Sequence, residues 1–365
     1  MSVYVHGVAT AVPGTAYPQE AALEVMQAWV GGDRRTRHLL SRIYRHSGIA
    51  RRHSVLTDFA PGGVRGFYRE SQGDGFRNPG TAERNDRYAR EALALFPEVA
   101  GRALTRSVRY RAEDVTHVIT VSCTGFVAPG PDLAIVQELG LRAGVERYHL
   151  GFMGCYAAFP ALRMARAFCL ADPDAVVLVA AVELCSLHLQ PSRDLDDLLA
   201  ASVFADGGAA AVVSAHEPTA GGLRLDGFTA AVAREGADDM AWTIGDTGFE
   251  MVLSSYVPKI VGERAREVVE PLLAGAGVPR TAVRHWGVHP GGRAILDRVQ
   301  QALELPEGAL DASRAVLRDY GNMSSATVLF VLRELLEARP AVGEPVVAMA
   351  FGPGLTVDAG LLAVA

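Results

Sequence analysis

The chain alternates short apolar runs with amphipathic stretches. VTHVITV (Val115–Val121), AVVLVAAV (Ala175–Val182), DGGAAAVVS (Asp206–Ser214) and VVAMAF (Val346–Phe351) are near-continuous apolar runs bounded by Gly, Pro or polar residues. Such runs predict strands buried on both faces. Val3–Ala11, Glu146–Leu150, Leu223–Ala233, Val283–Val288 and Leu361–Val364 add further strands. Helical spacing of apolar residues predicts helices over Glu20–Trp29, Arg34–Ser47, Ala82–Leu104, Pro131–Leu139, Leu195–Phe204, Tyr256–Leu273 and Arg293–Leu303. Pro97 is expected to break or kink the third of these. Phe249–Leu253 leads into the Tyr256 helix. Arg314–Asp319 leads into a strongly apolar helix ending near Ala338, which Ser324 or Ser325 could cap. Thr57–Thr81 reads as a long loop.

Buried strands alternating with helices define an α/β protein with mostly parallel sheets. Both parts of the chain repeat strand, glycine turn, helix. A composition break at HEPTAGG, His216–Gly222, divides the chain into residues 1–217 and 218–365. The length of 365 residues accommodates two ordinary cores or one large duplicated one.

Composition narrows the function. Net charge is −6 with mixed signs along the chain, which gives no support for nucleic-acid binding. No apolar run predicts a membrane span, and MSVYVHGVATAVPG has no secretory pattern. A cytoplasmic location with free thiols follows as an expectation. The four cysteines, Cys123, Cys155, Cys169 and Cys185, show no CxxC spacing, so no metal site is expected. Arg34, Arg35, Arg37, Arg42 and Arg45, with His38 and His46, form the densest basic stretch. It is either a solvated helix face or a patch for a phosphorylated substrate.

The chemistry centres on GFMGCYAAFPALRMARAF, Gly151–Phe168. It reads as a tight glycine turn followed by a helix with Cys155 in the first turn. Ala157, Phe159 and Leu162 would pack that helix into the core. A thiol there would feel the positive helix end, which favours thiolate. Alone, Cys155 is either a buried structural thiol or a nucleophile. Two more glycine-flanked polar residues stand at strand ends or helix starts: His289 in GVHPGG and Asn322 in YGNMSS. Cys and His make an activated acyl-accepting nucleophile, and Asn can orient the His or donate to an oxyanion. No P-loop, HExxH or GxSxG motif is present.

GCYAAFPALRMA, GVHPGG, YGNMSSATVLFVL and FGPGLTVD together resemble the type III polyketide synthases, the chalcone and stilbene synthase family. The resemblance runs from about Arg42 to Leu362. It implies a thiolase-type fold, two similar α/β halves stacked as five layers, in a homodimer. It implies Cys155, His289 and Asn322 as catalytic, with Phe204 and Phe249 at the cavity entrance. Ser324 and the loop Gly352, Pro353 and Gly354 would shape the cavity, although the loop's usual first glycine is Ala350 here. Arg42 matches a CoA-phosphate contact, with Arg45 and His46 beside it. Cys123, Cys185 and His188 stand where hydroxyl residues are common, and Met240 where a glycine is. The implied activity needs no cofactor. Malonyl-CoA is condensed iteratively onto an acyl-CoA starter, and the chain is cyclised to an aromatic or pyrone product. VELCSLHLQPSRDL and FADGGAAAVV resemble bacterial members, including those making alkylresorcinols and alkylpyrones. Two alternatives share the pattern: a ketoacyl synthase of the KAS III type condensing once on a carrier protein, and an inactive scaffold homologue.

Overall fold

In the computed structural model, which describes residues 1–60 and 62–365, the apolar runs lie side by side. Nine strands form a continuous hydrogen-bonded series. Its order is His285–Val288, Pro345–Gly352, Thr356–Val364, Leu223–Val232, Tyr4–Ala11, Asp206–Ser214, Val176–Leu184, His117–Ser122 and Glu146–Gly151. Pairing is mixed. His117–Ser122 runs parallel to both neighbours, whereas Asp206–Ser214 is antiparallel to both of its own. The two halves of the series join in its middle, where Tyr4 and Val5 pair with Arg224 and Leu223.

Alternate residues of single strands show the layering, because successive side chains leave a strand on opposite faces. From Val176–Leu184, Val176, Leu178, Ala180 and Val182 enter a core with Phe96 and Val99 of the helix Thr81–Ser107. Val177, Val179 and Ala181 enter a second core with Phe159 and Leu162 of the helix Ala158–Ala171. That core also holds Val328 to Leu332 of the helix Thr327–Glu337 and Val346, Ala348 and Ala350 from Pro345–Gly352. The other face of Pro345–Gly352 sends Val347, Met349 and Phe351 into a third core, under the helices Val257–Gly275 and Arg293–Ala302. Outer helices, sheet, central helices, sheet and outer helices make five layers. Each fully buried Val or Leu contributes roughly 1.5–3 kcal/mol.

Three local expectations are corrected. The helix Thr81–Ser107 runs unbroken through Pro97. Leu95, Phe96, Val99 and Ala100 are buried on either side of it, and that packing outweighs a missing hydrogen bond worth about 3 kcal/mol. Neither Ser324 nor Ser325 caps the last long helix. Ser324–Ala326 forms a 3-10 turn before Thr327–Glu337, and the helix has no side-chain cap. Its two serines are engaged elsewhere, as described below. The final strand begins at Thr356 rather than Leu361.

The sequence reading passed over the hairpin Met240–Gly245 and Gly248–Leu253, the small sheet of Thr15–Pro18 with Arg51–Ser54, and the helix Asp311–Tyr320. Pro61, within the expected loop Thr57–Thr81, lies outside the described residues. Among the described residues no helix is long and apolar enough to cross a membrane.

Candidate active site

Cys155 stands in the turn after the strand Glu146–Gly151. The Ala157 N–H donates to the Gly154 carbonyl (3.1 Å), and the α-helix starts only at Ala158. The thiol is therefore one turn ahead of the helix rather than inside its first turn, and dipole effects fade within a turn. The sharp turn depends on Gly154, whose φ is +84°. A Cβ there would come within 2.4 Å of Pro353 Cδ, and one at Gly352 within 2.2 Å of Tyr156 Cδ1. Two glycines thus let the cysteine turn and the Gly352–Gly354 loop press together.

Asn322 is held by the chain ends around it. Its N–H donates to the Val203 carbonyl and its carbonyl accepts from the Ala205 N–H, both at 2.8 Å, which pins it beside Phe204. Its Oδ1 accepts the Ser324 N–H at 2.9 Å. With the oxygen taken by a backbone donor, the amide NH2 is left to donate into the cavity. Ser324 adopts φ of +45°, a strained conformation for a residue with a side chain and one that gathers at functional sites. His289 follows the strand His285–Val288. It is buried, and neither ring nitrogen has a hydrogen-bond partner among the described residues.

Cys155, His289 and Asn322 line one chamber of about 20 Å³, with Cys123, Phe204, Met240, Ser324 and Pro353. No charged side chain lines it. Burial pushes the Cys155 thiol up to about 11, while hydrogen bonds from Ser324 and Asn322 pull the other way. Burial also takes His289 down to about 3. Each residue alone is therefore held neutral. Both line one chamber, so a proton passed from Cys155 to His289 would create opposite charges within it and offset part of the penalty that either would meet alone.

The chamber opens into a tunnel of about 460 Å³, sharing Leu253, Gly291 and Ile295 with it. Arg42 and His46 line the tunnel, as does Arg293, which the sequence reading did not single out. Arg45 is exposed and lies off the tunnel wall. Cys185 and His188 line a neighbouring space. His188 Nδ1 accepts the Phe249 N–H (3.0 Å) and Nε2 donates to the Thr124 carbonyl (2.8 Å). Burial lowers its pKa to about 3, so the ring is neutral. Phe249 stacks on it with ring centroids 4.2 Å apart and does not reach the chamber wall. Gly352 and Gly354 likewise stand behind Pro353 rather than on the wall.

Several contributors went unrecognised in the sequence. The hairpin places Leu253 opposite Met240, which the resemblance already marked, and Trp242 opposite Met251, and all four line the chamber. Their period-two spacing was the available signal. Trp242 Nε1 donates to the Cys123 carbonyl (2.7 Å). Glu183 is fully buried behind the wall. It accepts from the Cys123 N–H (3.0 Å), Cys123 Sγ (3.3 Å), Thr124 Oγ1 (2.9 Å) and Ser325 Oγ (2.5 Å).

Five layers enclosing a Cys, His and Asn beside a cationic tunnel define an acyl-transferring enzyme of the thiolase-type class. Family models describe the relation more closely: "Chalcone and stilbene synthases, N-terminal domain" matches residues 2–218, and the C-terminal domain model matches residues 229–364. The chain belongs to the chalcone and stilbene synthase family, and it is a type III polyketide synthase that uses CoA thioesters without a cofactor.

Among its relatives, a 3,5-dihydroxyphenylacetyl-CoA synthase of Streptomyces toyocaensis is 32% identical, over 98% of this chain and 88% of that protein. An alpha-pyrone synthesis polyketide synthase-like protein of Mycobacterium tuberculosis is 31% identical, over 97% and 89%. The crystal structure of 1,3,6,8-tetrahydroxynaphthalene synthase from Streptomyces coelicolor superposes with a TM-score of 0.88 at 31% identity, covering 99% of each chain.

Proposed function

We propose that Cys155 carries the growing chain while His289 and Asn322 bind the thioester carbonyl of malonyl-CoA. The observation that supports this most is a pair of donors on one chamber wall: the Asn322 NH2, left by the Ser324 N–H to point toward Cys155, and the His289 ring, unpartnered among the described residues. Cys155 attacks the acyl carbon of the starter thioester as its proton passes to His289. The C–S bond to CoA breaks, and the CoA sulfur leaves with that proton. Neutral His289 and Asn322 then donate to the oxygen of malonyl-CoA. Its carboxylate meets no cation on the chamber wall, and departs as CO2. The two donors stabilise the enolate that remains, and the narrow, uncharged wall leaves little room for a proton donor beside it. The enolate carbon attacks the acyl-Cys155 carbon and the Cys155 sulfur leaves. The lengthened chain returns to Cys155 for the next round.

Arg42, His46 and Arg293 hold the CoA phosphates at the tunnel mouth, with the pantetheine arm reaching inward. Phe204, Met240, Cys123 and Ser324 bound the space where the chain folds. Relatives named for aromatic and pyrone synthesis support a product of one of those two kinds. The reading includes a homodimer in the cytoplasm, carried by the family resemblance, and sedimentation of the purified protein tests the dimer.

The main experiment incubates the enzyme with an acyl-CoA and malonyl-CoA, without carrier protein, and seeks triketide or longer products by mass. Single condensation that appears only with a carrier protein would instead support a KAS III-type activity.

A further inference from the structure

The helix Arg34–His46 carries more basic side chains than its place in the fold explains. At 3.6 residues per turn, Arg34, Arg35, His38, Arg42, Arg45 and His46 fall within about 120° of its circumference. All six are exposed. Leu40 and Tyr44, on the opposite side, are buried.

The stripe lacks counter-charges. None of the six is in an ion pair among the described residues. The helix holds no acidic residue, and Asp33 at its cap accepts from the Thr36 N–H and hydroxyl. Arginines on the helix Val257–Gly275 are treated differently. Arg264 meets Glu235 and Glu267, and Arg266 meets Glu270 and Glu304. Arg34 and Arg35 also oppose the positive end of their own helix. In a chain of net charge −6, a bare stripe of this kind calls for a partner.

The stripe leads to the tunnel. Arg42 and His46 lie on its wall, and Arg34 stands about 12 Å further along the helix axis. A CoA nucleotide gripped by Arg42, His46 and Arg293 leaves Arg34 and Arg35 uncovered. A ligand that covers them with its pantetheine arm in the tunnel is larger than CoA. A lipid surface fits poorly, because a helix lying on lipid turns its apolar face outward, and this one buries it. Tyr256 is 67% exposed between Ser255 and Val257 of the tunnel wall, and offers an aromatic anchor to a protein surface.

We propose that Arg34, Arg35, His38 and Arg45, continuous with Arg42 and His46, dock an acidic carrier protein that delivers the starter. Its acyl-pantetheine arm enters the tunnel. The acyl group passes from the pantetheine sulfur to Cys155, and the Cys155 proton goes to the departing pantetheine thiol. Malonyl-CoA still supplies the extender units. This deepens the proposed function and rests on its assignment of the tunnel to a pantetheine arm.

The test presents one acyl group on two carriers: CoA, and the acidic acyl carrier protein of bacterial fatty-acid synthesis. The group is the one, between acetyl and dodecanoyl, that loads Cys155 fastest from CoA. Loading is followed by intact-protein mass. The wild type should load from the carrier protein with a second-order rate at least equal to that from CoA. Arg34→Glu with Arg35→Glu should lower the carrier-borne rate by about ten- to thirtyfold and the CoA-borne rate by less than about twofold. Glutamates in a first turn suit the helix end. Arg34→Ala with Arg35→Ala repeats the test, at about three- to fivefold, should the charge reversal melt early. In about 1 M salt the wild type and the variants should converge on carrier-borne substrate. A wild type that loads only from CoA, or variants that slow both substrates equally, overturns the docking surface. Calorimetry of the unacylated carrier with Cys155→Ala enzyme reads docking apart from chemistry. No binding there, or binding unchanged by the paired arginine substitutions, also overturns it, as does an enzyme that sediments with phosphatidylglycerol vesicles but ignores the carrier. Binding that persists while no acyl group reaches Cys155 sinks the nucleophile assignment and leaves the docking surface standing.

Discussion

The tunnel and the catalytic chamber meet at Leu253, Gly291 and Ile295, yet they are built on different terms. The tunnel is about 460 Å³ with Arg42, His46 and Arg293 on its wall. The chamber is about 20 Å³, without charge, closed by Met240, Trp242 and Met251 from one hairpin. Charge on a preformed surface suits a ligand whose handle never varies. A dry, crowded space suits chemistry that must exclude water, and leaves the size of the product to side chains that can move. Delivery and construction are thus separable, and substitutions in the two regions should change different measured quantities.

The largest effect should come from the chamber. Cys155→Ala removes the acyl acceptor, and product formation should fall by more than about a thousandfold. Asn322→Ala removes one donor to the enolate and should lower kcat by about 10²–10³. In both variants the affinity for CoA, read by calorimetry, should stay near the wild-type value because the tunnel is untouched. A comparable loss of CoA affinity would collapse the distinction between the two regions.

Next in size is a pH effect on Cys155 itself. Burial, against the pull of hydrogen bonds from Ser324 and Asn322, holds its thiol near 11, and the other three thiols are raised by burial as well. If, as proposed, proton transfer to His289 supplies thiolate at neutral pH, iodoacetamide should label Cys155 ahead of Cys123, Cys169 and Cys185. His289→Gln leaves the thiol without an acceptor. Thiolate then forms only as pH rises toward about 11. Labelling at neutral pH should drop and regain about tenfold per pH unit on the alkaline side. A variant labelled with the wild-type pH profile would show that His289 does not activate Cys155.

Smaller again is a change in what the chamber builds. Met240→Ala enlarges the space opposite Leu253. Products should shift toward one further malonyl unit, with kcat/KM for the starter changed by less than about tenfold. The cavity should cost about 2–4 kcal/mol of stability, visible as a lower Tm. An unaltered product spectrum would place the limit on chain length elsewhere, at Trp242 or in the neighbouring space lined by Cys185 and His188.

The contrast also explains what the sequence could and could not disclose. Cys155, His289 and Asn322 stand beside glycines at strand ends, so local pattern pointed to them before any coordinates. The apolar strands were legible because burial on both faces leaves no polar alternation. The chamber wall was legible only in part: the resemblance marked Cys123, Phe204, Met240, Ser324 and Pro353, but not Trp242, Met251 or Leu253. Met240, Trp242, Met251 and Leu253 come together through the pairing of a hairpin whose strands are half-exposed and short, and cross-strand register is not written in either strand alone. Glu183 was hidden for the opposite reason. It sits in an apolar run, and only the hydroxyl and thiol partners brought from elsewhere in the chain explain a buried carboxylate there. The helix start was misplaced at Cys155 because the turn Gly154–Ala157 and the helix behind it share the same small apolar residues.

The smallest expected effect tests the tunnel side. Arg34, Arg35, Arg37, Arg42 and Arg45 are all exposed on the helix Arg34–His46, but only Arg42 reaches the tunnel wall, joined there by His46 and by Arg293 at the start of the helix Arg293–Ala302. An exposed Arg facing a phosphate contributes about 0.2–1 kcal/mol. Arg42→Ala and Arg293→Ala should therefore each raise KM for malonyl-CoA about two- to fivefold and leave kcat and the product pattern alone. Arg34→Ala, about 12 Å further along the helix axis by its rise per residue, should do nearly nothing. Added salt should raise the wild-type KM and narrow its gap to Arg42→Ala, since screening weakens a contact that the variant already lacks. Equal effects from Arg34 and Arg42 would mean that the helix acts through its overall field rather than at the tunnel mouth. A fall in kcat with Arg42→Ala would mean that phosphate binding at the mouth sets the position of the thioester in the chamber, and the two regions would then be coupled.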